Sequence, residues 1–98
     1  AILAAIALPA YNNHRIKSAE GACQAEAKAY MNSAVAAVMS NMTPVPAFPG
    51  KACAAHAALT AADVSTPNTL TFTPVGPGVK TTQCKGDSAT CGAPGVAP

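Results

Sequence analysis

Residues 1–42, AILAAIALPAYNNHRIKSAEGACQAEAKAYMNSAVAAVMSNM, decide the fold of this chain. Residues 1–8 are uncharged, and a helix built from them is apolar on every side, so it needs an apolar environment all round. Pro9 removes a backbone donor and is predicted to kink or locally melt the helix. From Asn12 the pattern becomes amphipathic and needs an apolar partner on one face only. We therefore predict one long helix whose two halves meet different surroundings. Its first residues pack into an assembly, and its amphipathic half carries a small domain.

The amphipathic part has apolar positions at steps of three and four residues, which is typical of one helix face. These positions are Ile16, Ala19, Cys23, Ala27, Tyr30, Ala34 and Val38. The charged residues are predicted to lie mostly off this stripe, on a solvated or subunit-facing side: Arg15, Lys17, Glu20, Glu26 and Lys28. Pro44 and Pro46 forbid continuation, so the helix is predicted to fade within residues 40–43.

The rest of the chain, residues 43–98, is predicted to form a small head. In order, the patterns predict a connector at 43–50, a short helix at 51–62, a strand at 68–75, a turn at 76–78, a strand at 79–84, a turn at 85–88 and a brief return at 89–91. The predicted fold class is α+β, with the long helix of residues 1–42 packed against a small antiparallel sheet.

The four cysteines indicate disulfides, because a head of this size buries too little surface to be stable without cross-links. An even cysteine count in a small chain also favours an oxidising compartment. Three pairings are possible. We favour Cys84 with Cys91, which enclose a short turn, and Cys23 on the helix stripe with Cys53. A zinc site is the rival use, but the chain has no C-x-x-C pair or adjacent histidine to support it.

The run ILAAIALPAY at residues 2–11 resembles the N-terminal helix of type IV pilins, in which an apolar segment leads to a proline at the position of Pro9 and an aromatic residue at Tyr11. The predicted order of helix, connector, small sheet and C-terminal disulfide loop is similar to that family in kind. Cys84 and Cys91 match the cysteines that close the family's loop. The family's apolar start, with its glutamate, would lie upstream of Ala1, so we expect the chain to be N-terminally truncated.

The resemblance implies a structural protein, the major subunit of a pilus filament in which identical copies bundle their N-terminal helices. Assembly contacts are then expected from Ile2, Leu3, Ile6, Leu8, Pro9 and Tyr11. The implied partners are further copies of the chain and, before polymerisation, the inner-membrane assembly machinery, with an unidentified surface receptor. The implied location is an extracellular pilus, anchored in the inner membrane before assembly. Adhesion, twitching motility and DNA uptake are the implied roles.

Two other functions stay open. One is a minor pilin or a pseudopilin of type II secretion, although Asp87 alone in the C-terminal loop is too few carboxylates for a calcium site of that kind. The other, from a different class, is a small secreted binding domain cross-linked by disulfides. A nucleic-acid partner is weakly supported, since Lys80 and Lys85 make a small basic cluster and are better explained as keeping a sheet edge soluble.

No catalytic, metal or cofactor site is expected, because no nucleophile elbow, zinc-protease or phosphate-loop motif occurs. His14 and His56 are far apart and each lacks a nearby acid. We expect His14 to be a solvated helix residue, His56 to lie on a short exposed helix, and neither to activate Ser88. Tyr30 and Phe72 are predicted to meet in the core between helix and sheet.

Overall fold

The computed structural model contains four elements: α1 (Ile2–Met39), α2 (Ala61–Ser65), β1 (Thr69–Phe72) and β2 (Thr82–Lys85). It describes the backbone of residues 2–42, 44–66 and 68–98, and the side chains of the same ranges from residue 10 onward. The molecule measures 60 × 22 × 15 Å, so it is far longer than it is wide. A long helix packed against a small antiparallel sheet confirms the predicted α+β class.

Helix α1 is continuous through Pro9, so the proline does not interrupt the helix and Asn12 does not restart it. The predicted end is close to the observed one, because α1 stops at Met39, just before the range 40–43. Asn41 there has a positive φ of 55°, a left-handed conformation that commonly closes helices.

The predicted stripe of α1 faces the head. Cys23, Ala27, Tyr30 and Ala34 are buried, and Ile16, Ala19 and Val38 are half-buried. The core that they form with the head comprises Cys23, Ala27, Tyr30, Met31, Ala34, Val35, Phe48, Cys53, Leu59, Val64, Phe72 and Cys84. Aromatic rings occupy its centre: Tyr30 lies edge-on to Phe48 at 5.1 Å and to Phe72 at 6.5 Å between ring centroids. The predicted contact between Tyr30 and Phe72 is therefore confirmed.

Strands β1 and β2 pair antiparallel, with Leu70 opposite Cys84 and Phe72 opposite Thr82. Both are shorter than predicted. In the structure the connector continues as irregular chain beyond residue 50, as far as Thr60. Residues 73–75 pair with its residues 52–54, where the Ala54 N–H donates to the Thr73 carbonyl at 2.8 Å. The predicted return at 89–91 contributes an isolated bridge from Cys91 to Cys84 rather than a third strand.

The predicted helix at residues 51–62 is wrong. Residues 54–60 have no regular structure, and α2 begins only after Thr60, whose side chain forms a reciprocal capping box with Asp63. Alanine propensity is outweighed here because two backbone groups that a helix over 51–62 would use internally are bonded elsewhere. The Ala52 carbonyl accepts from the Val75 N–H at 3.1 Å, and the Leu59 N–H donates to the Tyr30 hydroxyl at 3.1 Å. Tertiary contacts therefore hold the segment extended.

Candidate functional site

The first turns of α1 extend beyond the head. Residues 10–15 are all exposed, and Ile16 is the first helix residue that the head half-covers. Tyr11 is 58% exposed. The other predicted assembly residues lie on the same helix, before residue 10, with side chains outside the described part of the chain: Ile2, Leu3, Ile6, Leu8 and Pro9. The described part of this predicted site thus has no covering from its own head.

Arg15 lies over the ring of Tyr11, with its guanidinium carbon 5.9 Å from the ring centroid. Residues four apart on a helix are neighbours, so the sequence places this pair on one side of α1. A cation over an aromatic face at an exposed site gains about 0.5–1 kcal/mol. The pair therefore orders two large side chains at the point where the helix leaves the head.

Glu26 attaches the connector to α1. Its carboxylate accepts hydrogen bonds from the backbone N–H groups of Lys51 at 3.1 Å, Ala52 at 3.1 Å and Cys53 at 2.9 Å. Hydrogen bonds to a charged acceptor contribute about 1.5–3 kcal/mol each where they are shielded from water. Three successive donors on one carboxylate fix both the position and the conformation of the connector.

Glu20 attaches the loop between β1 and β2 to α1 in the same way. One carboxylate oxygen accepts from the N–H groups of Val79 at 3.0 Å and Lys80 at 2.7 Å. The N–H of Lys80 and then that of Val79 lower the pKa of Glu20 below its ordinary value of 4.5, against the opposing effect of burial. These hydrogen bonds keep the carboxylate ionised. They also attach the loop to α1, at the end of the head that lies toward residues 10–15.

The prediction that Glu20 and Glu26 belong to a solvated side is wrong. Glu20 is only 6% exposed and Glu26 is half-buried, whereas Arg15, Lys17 and Lys28 are exposed as expected. Each glutamate stands three residues from Cys23, so helical spacing places both at the edges of the stripe. That signal was available in the sequence, but the identity of the backbone donors that meet them was not.

Two disulfides close the head. Cys23 is bonded to Cys53 across 30 residues and Cys84 to Cys91 across 7. The favoured pairing is therefore the one that the structure contains. The first bond joins α1 to the connector beside the contacts of Glu26, and the second joins β2 to the chain that follows it.

The two histidines are not brought together with Ser88. His14 is exposed on α1. His56 does not lie on an exposed helix as predicted: it is half-buried and its ring stacks on Phe72, with 4.4 Å between centroids. The Ser88 hydroxyl donates to the Thr90 hydroxyl at 3.0 Å. Within residues 10–42, 44–66 and 68–98, no group of three or more potential ligands could hold a metal ion.

Grooves run beside the upper part of α1. One of about 350 Å³ lies between Tyr30 and the proline-rich connector, and another of about 360 Å³ continues from Ser33 to Met42. Their shared border is formed by Ser33 and Pro46. Small and apolar side chains dominate these walls, so the grooves offer shape but few directional groups for a small ligand.

No helix in the described part of the chain is both long and apolar enough to cross a membrane. Neither a family model, nor a curated protein, nor a solved structure matches the chain.

Proposed function

We propose that this chain is a structural subunit of a type IV pilus, and that it assembles through the first turns of α1. The observation that carries the proposal is the exposure of residues 10–15, on a helix whose preceding residues 2–8 are uncharged and apolar in sequence. A rod with an apolar end and a cross-linked head at the other end suits a subunit that places its helix among the helices of other copies.

The free energy of association favours contact with several copies of the chain over contact with one. Full burial of Ile2, Leu3, Ile6 and Leu8 would contribute roughly 6–12 kcal/mol, at about 1.5–3 kcal/mol for each side chain. Association costs roughly 4–15 kcal/mol in lost freedom, so contact with a single neighbour leaves little surplus. A helix surrounded by several copies gains more contacts for each subunit added. Contacts between unlike surfaces that do not close into a ring generate such open helical arrays.

The head suits the outer surface of the array. The Cys23–Cys53 disulfide and the contacts of Glu20 and Glu26 bind connector and loop to α1 without using the first turns of the helix. Assembly and head folding are then separable, which gives the proposal a clean test. An extracellular location, adhesion, twitching motility and DNA uptake are proposed only as consequences of filament assembly.

The test compares two substitutions in cells that make the complete protein. Ile6→Asp places a charge in the apolar stretch, and the matched control Val96→Asp places one at a 55% exposed position of the C-terminal tail. Filaments sheared from the cells are imaged by electron microscopy and their bulk component is identified by mass spectrometry.

The expected result is filaments of this chain in unchanged and Val96→Asp cells and none with Ile6→Asp, whose heads keep both disulfides. Filaments in which this chain is a trace component would assign it as a minor pilin or pseudopilin. A monomer released into the medium, with no filaments, would favour the secreted binding domain.

A further inference from the structure

The basic and acidic side chains of this chain differ in their exposure to solvent. All six basic side chains are exposed: Arg15, Lys17, Lys28, Lys51, Lys80 and Lys85. Three of the four acidic residues turn inward instead. Glu20 is buried, and Glu26 and Asp63 are half-buried, each accepting hydrogen bonds from backbone N–H groups. The net charge stays at +2, but the charged side chains that a partner meets first are mostly basic.

Part of this basic surface surrounds α1 where the helix leaves the head. Lys17 lies one turn before Glu20, and the backbone N–H of Lys80 is 2.7 Å from the Glu20 carboxylate, so both lysines stand near this carboxylate at the end of the head toward residues 10–15. The Glu20 carboxylate offsets part of their charge, and the surface there stays basic because Arg15, Lys17 and Lys80 are three cations against one anion. Arg15 lies about 160° around the helix from Lys17, at 100° per residue. We call Tyr11, Arg15, Lys17, Val79 and Lys80 the basal collar.

The collar also exposes apolar and aromatic surface. Val79 is 72% exposed beside Lys80, and the loop that carries both residues is fixed by Glu20. Tyr11 is 58% exposed and lies beneath the guanidinium of Arg15. Tyrosine and basic residues placed next to an apolar helix are typical of the boundary between lipid tails and headgroups.

The spacing along α1 fits that boundary. Arg15 stands seven residues beyond Leu8, about 10 Å at roughly 1.5 Å per residue. The headgroup layer of a bilayer is roughly 5–8 Å deep on each side, and long basic side chains reach back along the helix toward it. The apolar residues 1–8 and the collar are thus separated by about one headgroup layer.

We propose that the basal collar binds the phosphates of anionic lipid headgroups, with residues 1–8 entering the apolar layer below. The arrangement of charge favours this partner over a nucleic acid. Arg15 and Lys17 lie on opposite sides of α1, so the collar complements a plane that surrounds the helix. A duplex laid along the molecule would reach only one of them. The proposal is independent of filament formation.

The experiment measures binding of the full chain to sedimented vesicles of phosphatidylcholine, with and without phosphatidylglycerol. The test variant is Lys17→Gln with Lys80→Gln. The matched control is Lys28→Gln with Lys51→Gln, which removes the same charge from exposed lysines outside the collar. Each basic residue near an anionic surface strengthens binding roughly fivefold, so the test pair is expected to weaken binding about 25-fold.

The control pair is expected to weaken binding by less than about threefold, and higher salt should reduce the difference between the pairs. Both variants are checked for intact disulfides and unchanged thermal melting. Equal losses in the two pairs, or equal binding to vesicles without phosphatidylglycerol, would overturn the proposal. So would tighter binding to a DNA duplex with the same dependence on Lys17 and Lys80.

Discussion

Residues 10–15 and residues 20–37 belong to the same continuous helix, yet the first group is exposed at every position and the second supplies much of the core. Residues 10–15 contain one alanine beside Tyr11, Asn12, Asn13 and His14, which are weaker helix formers than the alanines of residues 20–37, yet both groups are helical. The difference lies in what they meet. The upper part packs against connector and sheet and is held there by a disulfide and two carboxylates, whereas the described part of the head leaves residues 10–15 exposed. Packing, more than propensity, determines how much each part contributes to stability.

The two tyrosines of α1 give the sharpest test of this comparison. Tyr30 is 5% exposed, its hydroxyl donates to the Pro46 carbonyl at 2.9 Å, and it accepts from Leu59 N–H at 3.1 Å. Tyr30→Ala should lower the free energy of unfolding by at least about 4 kcal/mol, because it opens a cavity and leaves two backbone groups without partners. Chemical denaturation with circular dichroism measures the loss.

The matched variant is Tyr11→Ala, which removes the same side chain from the exposed part of the helix. Its effect on the free energy of unfolding is expected to stay within about 1 kcal/mol, because the side chain is exposed and loses only its contact with Arg15. A loss comparable to that of Tyr30→Ala would contradict the division of α1 into a packed and an unpacked part.

The two disulfides should differ in effect because they close loops of different length. Replacing Cys23 and Cys53 by alanine is expected to cost about 3.7 kcal/mol, against about 2.5 kcal/mol for Cys84 and Cys91, from the entropy of loop closure. Urea unfolding of the two double variants measures both. Equal losses would indicate that the hydrogen bonds of Glu26 already hold the connector to α1 without the covalent bond.

The smallest expected effect is the contribution of Glu20, in the packed part of α1, to the pH dependence of thermal stability. Its pKa is below 4.5 in the folded chain because the N–H groups of Lys80 and Val79 stabilise the carboxylate. The stabilisation is therefore present above pH 4.5 and is lost as the pH falls through the folded-state pKa. Thermal melting from neutral to acidic pH should show Glu20→Gln below the unchanged chain at neutral pH, with the gap closing in acid.

Asp87→Asn is the control for that experiment, because it removes one carboxylate from an exposed turn. It should leave the pH dependence of melting unchanged. A Glu20→Gln curve that runs parallel to that of the unchanged chain throughout would mean that the loop is held by other contacts.

The spacing of apolar residues and the positions of the prolines predicted much of the architecture. The stripe through Cys23, Ala27 and Tyr30 identified the buried face, because a helix repeats its faces regardless of its partner. Prolines after residue 42 located the end of α1 to within a few residues. Alternation in β1 placed Phe72 inside and the threonines outside. These signals are local, so the sequence contains them directly.

The failures share one cause. Residues 51–62 are alanine-rich and predicted to be helical, but the Ala52 carbonyl accepts from the Val75 N–H and the Leu59 N–H donates to the Tyr30 hydroxyl, both across long sequence separations. His56 was predicted to be exposed but stacks on Phe72. A long-range partner cannot be identified from composition or spacing alone, and it outweighs propensities worth fractions of a kcal/mol per residue.

The sequence by itself determined a long helix with an apolar start, its buried stripe, its approximate end and a disulfide-linked α+β head, since all of these follow from residue order and local chemistry. Only the tertiary structure decided that Glu20 and Glu26 turn inward and accept hydrogen bonds from backbone N–H groups. The physical reason is that a buried carboxylate needs particular N–H groups, and those are supplied by loops that come near α1 only when the chain folds.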